Sequence, residues 1–338
     1  MRRPWVSGAV TGIGSLPGTD PVAAARLVFD ELPYLPHLPE LPARGAGADM
    51  IGRGAALLVD LPVEIVPSGW RLTAHAGHEL RRARDYLAWD LDALEAAGAG
   101  YTGPVKVQVV GPWTLAASLE LVNGHRVVTD HGAARDLADS LTEGLHAHLD
   151  EVRRRLPGAT PVLQLDEPSL PAVLAGAVPT PSGYGTVRAV EASVVEQALR
   201  DLLAVAPEGA RVVHCCASDV PIGVFRAAGA DAISLDASQL DAARYDELEE
   251  AVDDGISLWL GVLPAADAPV SFDAARDRIR EVWSALGFPL SHLADAVVAT
   301  PTCGLAGASP EHVRSVLKAL RDLAKWLADA EAEAEAGD

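Results

Sequence analysis

The sequence predicts a single-domain α/β protein, a (β/α)8 TIM barrel with eight parallel strands. Runs of β-branched and apolar residues alternate with helix-like segments along almost the whole chain, which is typical of a parallel sheet. Eight such units, one of them weak, indicate closure into a barrel. The candidate reactive residues follow the predicted strands, at the end where such barrels carry their active sites. An open doubly wound sheet is the alternative.

The elements can be placed in order. The first strand is predicted over 9–13, followed by a glycine-serine turn and a helix over 22–32 with Asp20 as its N-cap. A second strand is predicted within the proline-rich segment 32–42, whereas residues 51–75 show no clear pattern. The other predicted strands cover 104–111, 161–166, 211–214, 231–235, 256–261 and 296–299. The other predicted helices cover 78–97, 113–121, 133–156, 188–205, 219–228, 240–253, 271–286 and a last helix from Ser309 onward.

The domain organisation follows from this rhythm. No internal break suits a linker, so residues 1–330 are expected to form one barrel. Segment 171–187 is rich in proline, glycine and serine, which predicts a loop long enough to act as a lid. The last residues, 331–338, are expected to form an acidic, disordered tail.

The composition of the 338-residue chain excludes several partners. With 27 Lys+Arg against 47 Asp+Glu, the formal net charge is -20. That charge repels phosphate backbones and anionic membrane surfaces, so neither nucleic acid nor a membrane is expected as a partner. Three cysteines are too few for a disulfide framework, and no apolar run approaches the ~18 residues of a membrane span. We therefore expect a cytoplasmic protein.

A histidine and a cysteine follow one predicted strand and could bind a metal together. His214 and Cys216 are two residues apart, so they should point the same way while Cys215 points to the other face. An imidazole and a thiolate aimed at one point suit Zn²⁺. Asp236 and Cys303 follow two later strands and are the candidates for the remaining ligands. The alternative is that the cysteines are ordinary buried hydrophobic residues.

Two further strand ends carry polar groups. Asp166 and Glu167 end a short apolar run as a pair of carboxylates, which favours a catalytic site over a solvated turn. The turn formed by Gly14 and Ser15 could expose backbone N–H groups to a ligand, although a plain βα turn is equally compatible with the local sequence.

Five short motifs follow one another along the chain. They are, in order, Ile13-Gly14-Ser15-x-Pro17, Gln164-Leu165-Asp166-Glu167-Pro168, His214-x-Cys216, Leu235-Asp236-x-Ser238 and Pro301-x-Cys303-Gly304-Leu305. Together they resemble the C-terminal catalytic barrel of cobalamin-independent methionine synthase, over almost the whole chain. The resemblance implies a zinc site at His214, Cys216 and Cys303, with Asp236 where the family usually has glutamate.

The resemblance also implies an activity. Zinc would activate the thiol of homocysteine, which takes a methyl group from methyltetrahydrofolate or a methylcobalamin (corrinoid) protein to give methionine. Family members bind the amino acid with the residues corresponding to Ile13, Gly14, Ser15 and Asp166, so these are predicted to bind substrate, and Asp166 and Glu167 are predicted to be catalytic.

Departures from the family pattern leave substrate and donor open. The substrate-binding glutamate of the family falls on Arg44, so Glu40 is predicted to replace it. The segment that contains the family's proposed general acid reads Val262-Leu-Pro-Ala-Ala-Asp267. Alkyl transfer to another thiol such as coenzyme M is therefore an alternative, as are a zinc-free barrel of the uroporphyrinogen decarboxylase type and a non-catalytic barrel that binds a thiol or a metal.

Overall fold

The computed structural model describes the backbone of residues 3–337 and the side chains of all of these except 242 and 330–337. The last helix is described as far as Gly337, and Asp338 lies outside the described residues. The acidic tail predicted at 331–338 therefore stays a prediction.

Helices and strands alternate as predicted over most of the chain. The helices are α1 Pro21–Glu31, α2 Met50–Leu57, α3 His78–Ala97, α4 Pro112–Ser118, α5 His131–Arg155, α6 Leu170–Leu174, α7 Ala192–Leu203, α8 Ile222–Ala227, α9 Ala242–Asp253, α10 Phe272–Ala285, α11 Leu293–Ala296 and α12 Pro310–Gly337. The strands are β1 Val63–Val66, β2 Gly69–Leu72, β3 Pro104–Val110, β4 Thr160–Asp166, β5 Arg211–Cys215, β6 Ala232–Asp236, β7 Ser257–Leu263 and β8 Val297–Pro301.

Six strands form the central sheet, a curled parallel sheet in the order β3-β4-β5-β6-β7-β8. Strand order equals chain order, because each strand is followed by helical chain that returns to the start of the next strand. In the register of the sheet, Asp166 lies opposite His214, and His214 lies opposite Ser234. The carboxyl ends of neighbouring strands therefore bring these three side chains into one row.

The two segments predicted as the first and second strands do not form regular strands. They make isolated parallel bridges instead: Val10 pairs with Ala299 of β8, His37 pairs with Lys106 of β3, and Ser15 pairs with Glu40. Prolines 33, 36, 39 and 42 lack a backbone N–H, so the second segment cannot build a continuous ladder. The prediction of eight regular strands is thus confirmed for six only.

An apolar cluster fills the sheet interior near the amino-terminal ends of the strands. The rings of Trp5 and Trp259 meet edge to face with their centroids 5.3 Å apart. Val212 and Val298 pack with them, and all four residues are buried. This end of the sheet is sealed by side chains, which leaves the carboxyl ends of the strands as the place for a polar site.

Two features of the fold escaped the sequence prediction. Helix α2 and the antiparallel hairpin of β1 and β2 occupy the segment 51–75 that showed no pattern. Asp49 caps α2 by accepting a hydrogen bond from the Gly52 N–H, but the glycines inside this helix hide its periodicity.

The predicted lid segment 171–187 begins within the short helix α6 and is otherwise without helix or strand. Among the described helices, none has the length and apolar character needed to cross a bilayer.

Candidate metal and acceptor site

The sequence-predicted histidine and cysteines meet at the carboxyl ends of the strands. His214 lies in β5, Cys216 follows that strand, and Cys303 follows β8. One ligand atom from each lies within 4.8 Å of the others, and the two sulfur atoms are 3.5 Å apart. One nitrogen and two sulfurs at such distances form a donor set that suits zinc.

Strand alternation gives Cys215 a different role. Its side chain is fully buried and belongs to the main hydrophobic core, on the face opposite to His214. Burial raises the pKa of the Cys215 thiol to about 12, so this residue behaves as a small apolar core residue. The prediction that neighbouring cysteines would face opposite sides is confirmed.

The imidazole of His214 is oriented by a neighbouring strand. Its Nδ1 lies 2.9 Å from the hydroxyl oxygen of Ser234 in β6, directly opposite in the sheet register. Its Nε2 is buried and has no hydrogen-bond partner among the described residues. When Nδ1–H donates to Ser234, the lone pair of Nε2 is free to bind a metal.

The two thiols of the cluster favour a single shared proton. A hydrogen bond between them lowers the pKa of Cys303, and the same contact raises the pKa of Cys216. A cysteine binds metal as the thiolate, so a pair that readily holds one negative charge is suited to a cation.

Asp236 lies outside this group of three. Its carboxylate accepts hydrogen bonds from the backbone N–H and the hydroxyl of Ser238, at 2.8 and 2.7 Å, and so caps the short helical turn that follows β6. Its assignment as a metal ligand therefore stays a prediction.

The paired carboxylates after β4 have different surroundings. Glu167 accepts hydrogen bonds from the backbone N–H groups of Trp113 and Thr114 and from the Thr114 hydroxyl, at 2.7 to 2.9 Å. It thereby ties the carboxyl end of β4 to the start of α4. Burial raises the pKa of Glu167 to about 7, against the effect of these donors. A catalytic role for Glu167 stays a prediction.

Asp166 lies in the row that contains His214. Its carboxylate accepts a hydrogen bond of 2.7 Å from the amide nitrogen of Gln164. Burial is the largest cause that raises its pKa to about 7, while the charges of His214 and Lys106 act in the opposite direction. Asp166 is therefore a buried carboxyl group beside the candidate metal ligands.

The turn at residues 13–15 closes the other side of the site. Ser15 lies against the loop that carries Cys303: the Leu305 N–H donates to the Ser15 carbonyl at 2.8 Å. A methyl group added to Gly304 would lie 2.1 Å from the Ser15 hydroxyl oxygen. Glycine at 304 therefore leaves room for the Ser15 hydroxyl in its present orientation.

A buried lysine that the sequence analysis did not single out lies beneath this turn. Lys106 of β3 is fully buried, and its Nζ donates to the Ile13 carbonyl at 2.6 Å and to Gln108 Oε1 at 3.2 Å. Burial lowers the pKa of Lys106 to about 7, although Asp166 and Glu40 act to raise it. The available signal was the spacing of Lys106 and Gln108, which places two polar residues on one face of an apolar strand.

Glu40 belongs to a buried ionic network. Its Oε1 lies 3.2 Å from Nε of Arg53, which also contacts Asp90. Arg44 binds the same Asp90 at 2.8 Å. Arg44, which occupies the position of the family's glutamate, thus forms an ion pair within the protein. The prediction that Glu40 binds substrate stays a prediction.

Comparison with known proteins agrees with the resemblance. The family model described as cobalamin-independent synthase, catalytic domain, matches residues 9–326. A B12-independent methionine synthase from Shewanella sp. W3-18-1, solved with selenomethionine, has a similar fold with a TM-score of 0.61 and 15% identity, over 96% of this chain and 98% of that one.

A second solved structure has a weaker likeness. It is GH5_18 from Streptomyces cattleya in complex with GlcNAc, with a TM-score of 0.44 and 14% identity over 94% of this chain and 81% of that one. No curated protein matches the chain.

Proposed function

Because the chain belongs to the cobalamin-independent synthase catalytic-domain family, we propose that it transfers a methyl group to the sulfur of a small thiol at a zinc ion. His214, Cys216 and Cys303 would hold that ion. The observation that carries the proposal is the convergence of their three ligand atoms within 4.8 Å, with the Nε2 of His214 left without a hydrogen-bond partner in the part of the chain that the structure describes.

The donor set fits a catalytic rather than a structural zinc. Catalytic zinc has three protein ligands and a position open to substrate, whereas structural zinc is normally closed by four. Asp236 is the candidate for a further, weaker ligand. Bound zinc would supply the acidity that turns an incoming thiol into a thiolate nucleophile at neutral pH.

Residues beside the three zinc ligands would position the reacting groups. Ser234 fixes the ring of His214 through Nδ1. The Ser15 turn, held against Gly304, would border the acceptor. In the overall reaction the acceptor sulfur forms a bond to the methyl carbon, the bond from that carbon to the donor breaks, and the thiol proton is released.

Isolated bridges beside the site support a closed barrel. The bridges at Val10, Ser15 and His37 connect the two edge strands β8 and β3 through the segments predicted as the first and second strands. We propose that these irregular segments complete an eight-stranded barrel around the site.

The acceptor and donor follow from family membership only. Homocysteine is the acceptor that the family favours, and the donor would be methyltetrahydrofolate or a methylated corrinoid protein. Free cysteines at a metal site need a reducing environment, so we place the protein in the cytoplasm.

The proposal is tested by a methyl-transfer assay on zinc-loaded protein. Methyltetrahydrofolate and a methylcobalamin protein are each supplied with homocysteine or another thiol, and S-methylated product is measured by mass spectrometry. We expect product with one donor and its loss in Cys303→Ser. Product formation that persists after complete zinc removal would refute a zinc-dependent reaction.

A further inference from the structure

We infer that the chain forms a two-fold symmetric dimer through the surface groove between α1 and α12. This groove is called the α1–α12 seam: residues 16–34 border it on one side, residues 310–328 border it on the other, and residues 6–10 lie at one end. The inference concerns the assembly of the protein and is independent of the proposed function.

Two cavities lie along the seam. The smaller, of about 260 Å³, adjoins the start of both helices, and the larger, of about 550 Å³, adjoins the end of α1 and residues 321–328 of α12. The two helices therefore run side by side in the same direction. From Pro310 to Ala328 the seam is about 27 Å long, which is about the width of a standard protein interface of about 800 Å² per partner.

Large apolar side chains protrude beside the larger cavity. Tyr34 has 62% of its surface exposed and Val6 has 51%, and both line the cavity together with the buried residues Val10 and Leu32. Exposed aromatic residues next to an apolar depression are typical of a surface that another protein covers.

The charged residues that line the two cavities are segregated by side. Those on the α1 side are all acidic, and those on the α12 side are all basic: Asp20, Asp30 and Glu31 against Arg314, Arg321 and Lys325. Glu31 and Arg321 form an ion pair across the seam. Asp30, Arg314 and Lys325 have no oppositely charged group within 4.0 Å among the described side chains, so they are available to a partner.

An acidic strip beside a basic strip makes the seam complementary to a second copy of itself. With a two-fold axis parallel to the helices, α1 of each protomer lies across from α12 of its partner. Asp30 then faces the partner's Lys325, and Tyr34 faces the partner's Ala324, whose small side chain leaves room for the ring. An axis perpendicular to the helices would instead set α1 against α1 and bring like charges together, which is unfavourable.

Sedimentation of the full-length protein tests the dimer. At micromolar concentration we expect a species of twice the 35.2 kDa of one chain. Asp30→Lys and Lys325→Asp should each raise the dissociation constant of the dimer at least about 100-fold, because each places two pairs of like charges in contact. Tyr34→Glu should weaken the dimer as well, since it puts a charge in the apolar part of the interface.

An equimolar mixture of the Asp30→Lys and Lys325→Asp proteins tests the arrangement itself. The new lysine of one protein then faces the new aspartate of the other, so the mixture should form a heterodimer although neither protein dimerises alone. Asp136→Lys, at an exposed aspartate outside the seam, is the control and should remain dimeric. Circular dichroism of each variant verifies that it is folded.

Three results would overturn the inference. The first is an unaltered protein that is monomeric, which would leave the seam to another occupant. The second is a dimer that survives the two charge reversals and Tyr34→Glu, which would place the interface elsewhere. The third is a mixture of the two charge variants that stays monomeric. Because the seam lies away from His214, Cys216 and Cys303, none of these results decides the proposed methyl transfer.

Discussion

The sulfur atoms of Cys216 and Cys303 lie 3.5 Å apart, although the residues are 87 positions apart in the chain. They follow β5 and β8, between which β6 and β7 intervene. In a flat sheet, three strand spacings would separate them by about 14 Å. The contact therefore requires the curl of the sheet, together with the loop that carries Cys303 inward after β8.

Removal of either cluster cysteine should abolish metal binding. We expect about one zinc per chain in the unaltered protein and a loss of most of it in Cys216→Ser and in Cys303→Ser, because a hydroxyl is a poor zinc ligand. Zinc content is measured by mass spectrometry of the purified protein. Cys215→Ala is the matched control, since Cys215 faces the core, and it should retain the metal. Full zinc content in both serine variants would refute the site.

Ser234 should strengthen zinc binding by orienting the ring of His214. Loss of its hydroxyl in Ser234→Ala removes the partner of Nδ1 and frees the ring to rotate, so zinc affinity should fall by about 10- to 100-fold. The measurement is competition with a chromophoric chelator. Ser257→Ala is the control, because the Ser257 hydroxyl is buried without a partner among the described residues. An equal loss of affinity in both variants would contradict an orienting role.

The contact between Gly304 and Ser15 should matter for methyl transfer and not for metal content. In Gly304→Ala the new methyl group meets the Ser15 hydroxyl at 2.1 Å, so this hydroxyl, which is predicted to bind substrate, must rotate out of its place. We expect kcat/KM to fall by about 100-fold, since a displacement of about 1 Å has that effect on positioned reactants. Gly307→Ala is the control, because its added methyl group meets nothing within 4 Å. Similar rates in both variants would show that the spacing is unimportant.

The buried ionic network should stabilise the fold strongly. Asp90 is almost fully buried between Arg44 and Arg53, so Asp90→Ala leaves Arg44 without its carboxylate partner and Arg53 with Glu40 alone. We expect the free energy of unfolding to fall by about 3 kcal/mol or more. Asp136→Ala removes an exposed partner of Arg135 and should change it by about 0.5 kcal/mol at most. Denaturant unfolding measures both, and a small effect of Asp90→Ala would contradict the network.

His148 should contribute to acid unfolding. Burial, followed by the charge of Arg53, lowers the pKa of this histidine from 6.5 to about 4. The unfolded chain takes up a proton near pH 6.5 that the folded protein takes up only near pH 4, so stability falls as the pH drops between these values. The loss amounts to at most about 3 kcal/mol.

The variant His148→Leu should therefore show a shallower dependence of the unfolding free energy on pH between 6.5 and 4. His146→Leu replaces an exposed histidine of the same helix and should leave that dependence unchanged. If the unfolding free energy of His148→Leu and of the unaltered protein depends on pH with the same slope, His148 takes up its proton as readily in the folded protein as in the unfolded chain.

Local patterns predicted most regular elements. The helix predicted at 78–97 matches α3, and the strand predicted at 104–111 matches β3, because each pattern reflects one buried face and clear end signals. The hairpin of β1 and β2 was missed, since its short strands are only partly buried and show little alternation. Irregular bridges replaced the first two predicted strands, because the register there depends on contacts with β3 and β8.

The sequence by itself determined the alternation of strands and helices and the common face of His214 and Cys216, because a two-residue spacing on a strand fixes that face. The tertiary structure decided that Cys303 joins them and that Asp236 caps a turn beside them. It also placed Lys106 under the Ile13 carbonyl. Such contacts depend on the curl of the sheet and on distances between strands far apart in the chain, and no local pattern encodes these.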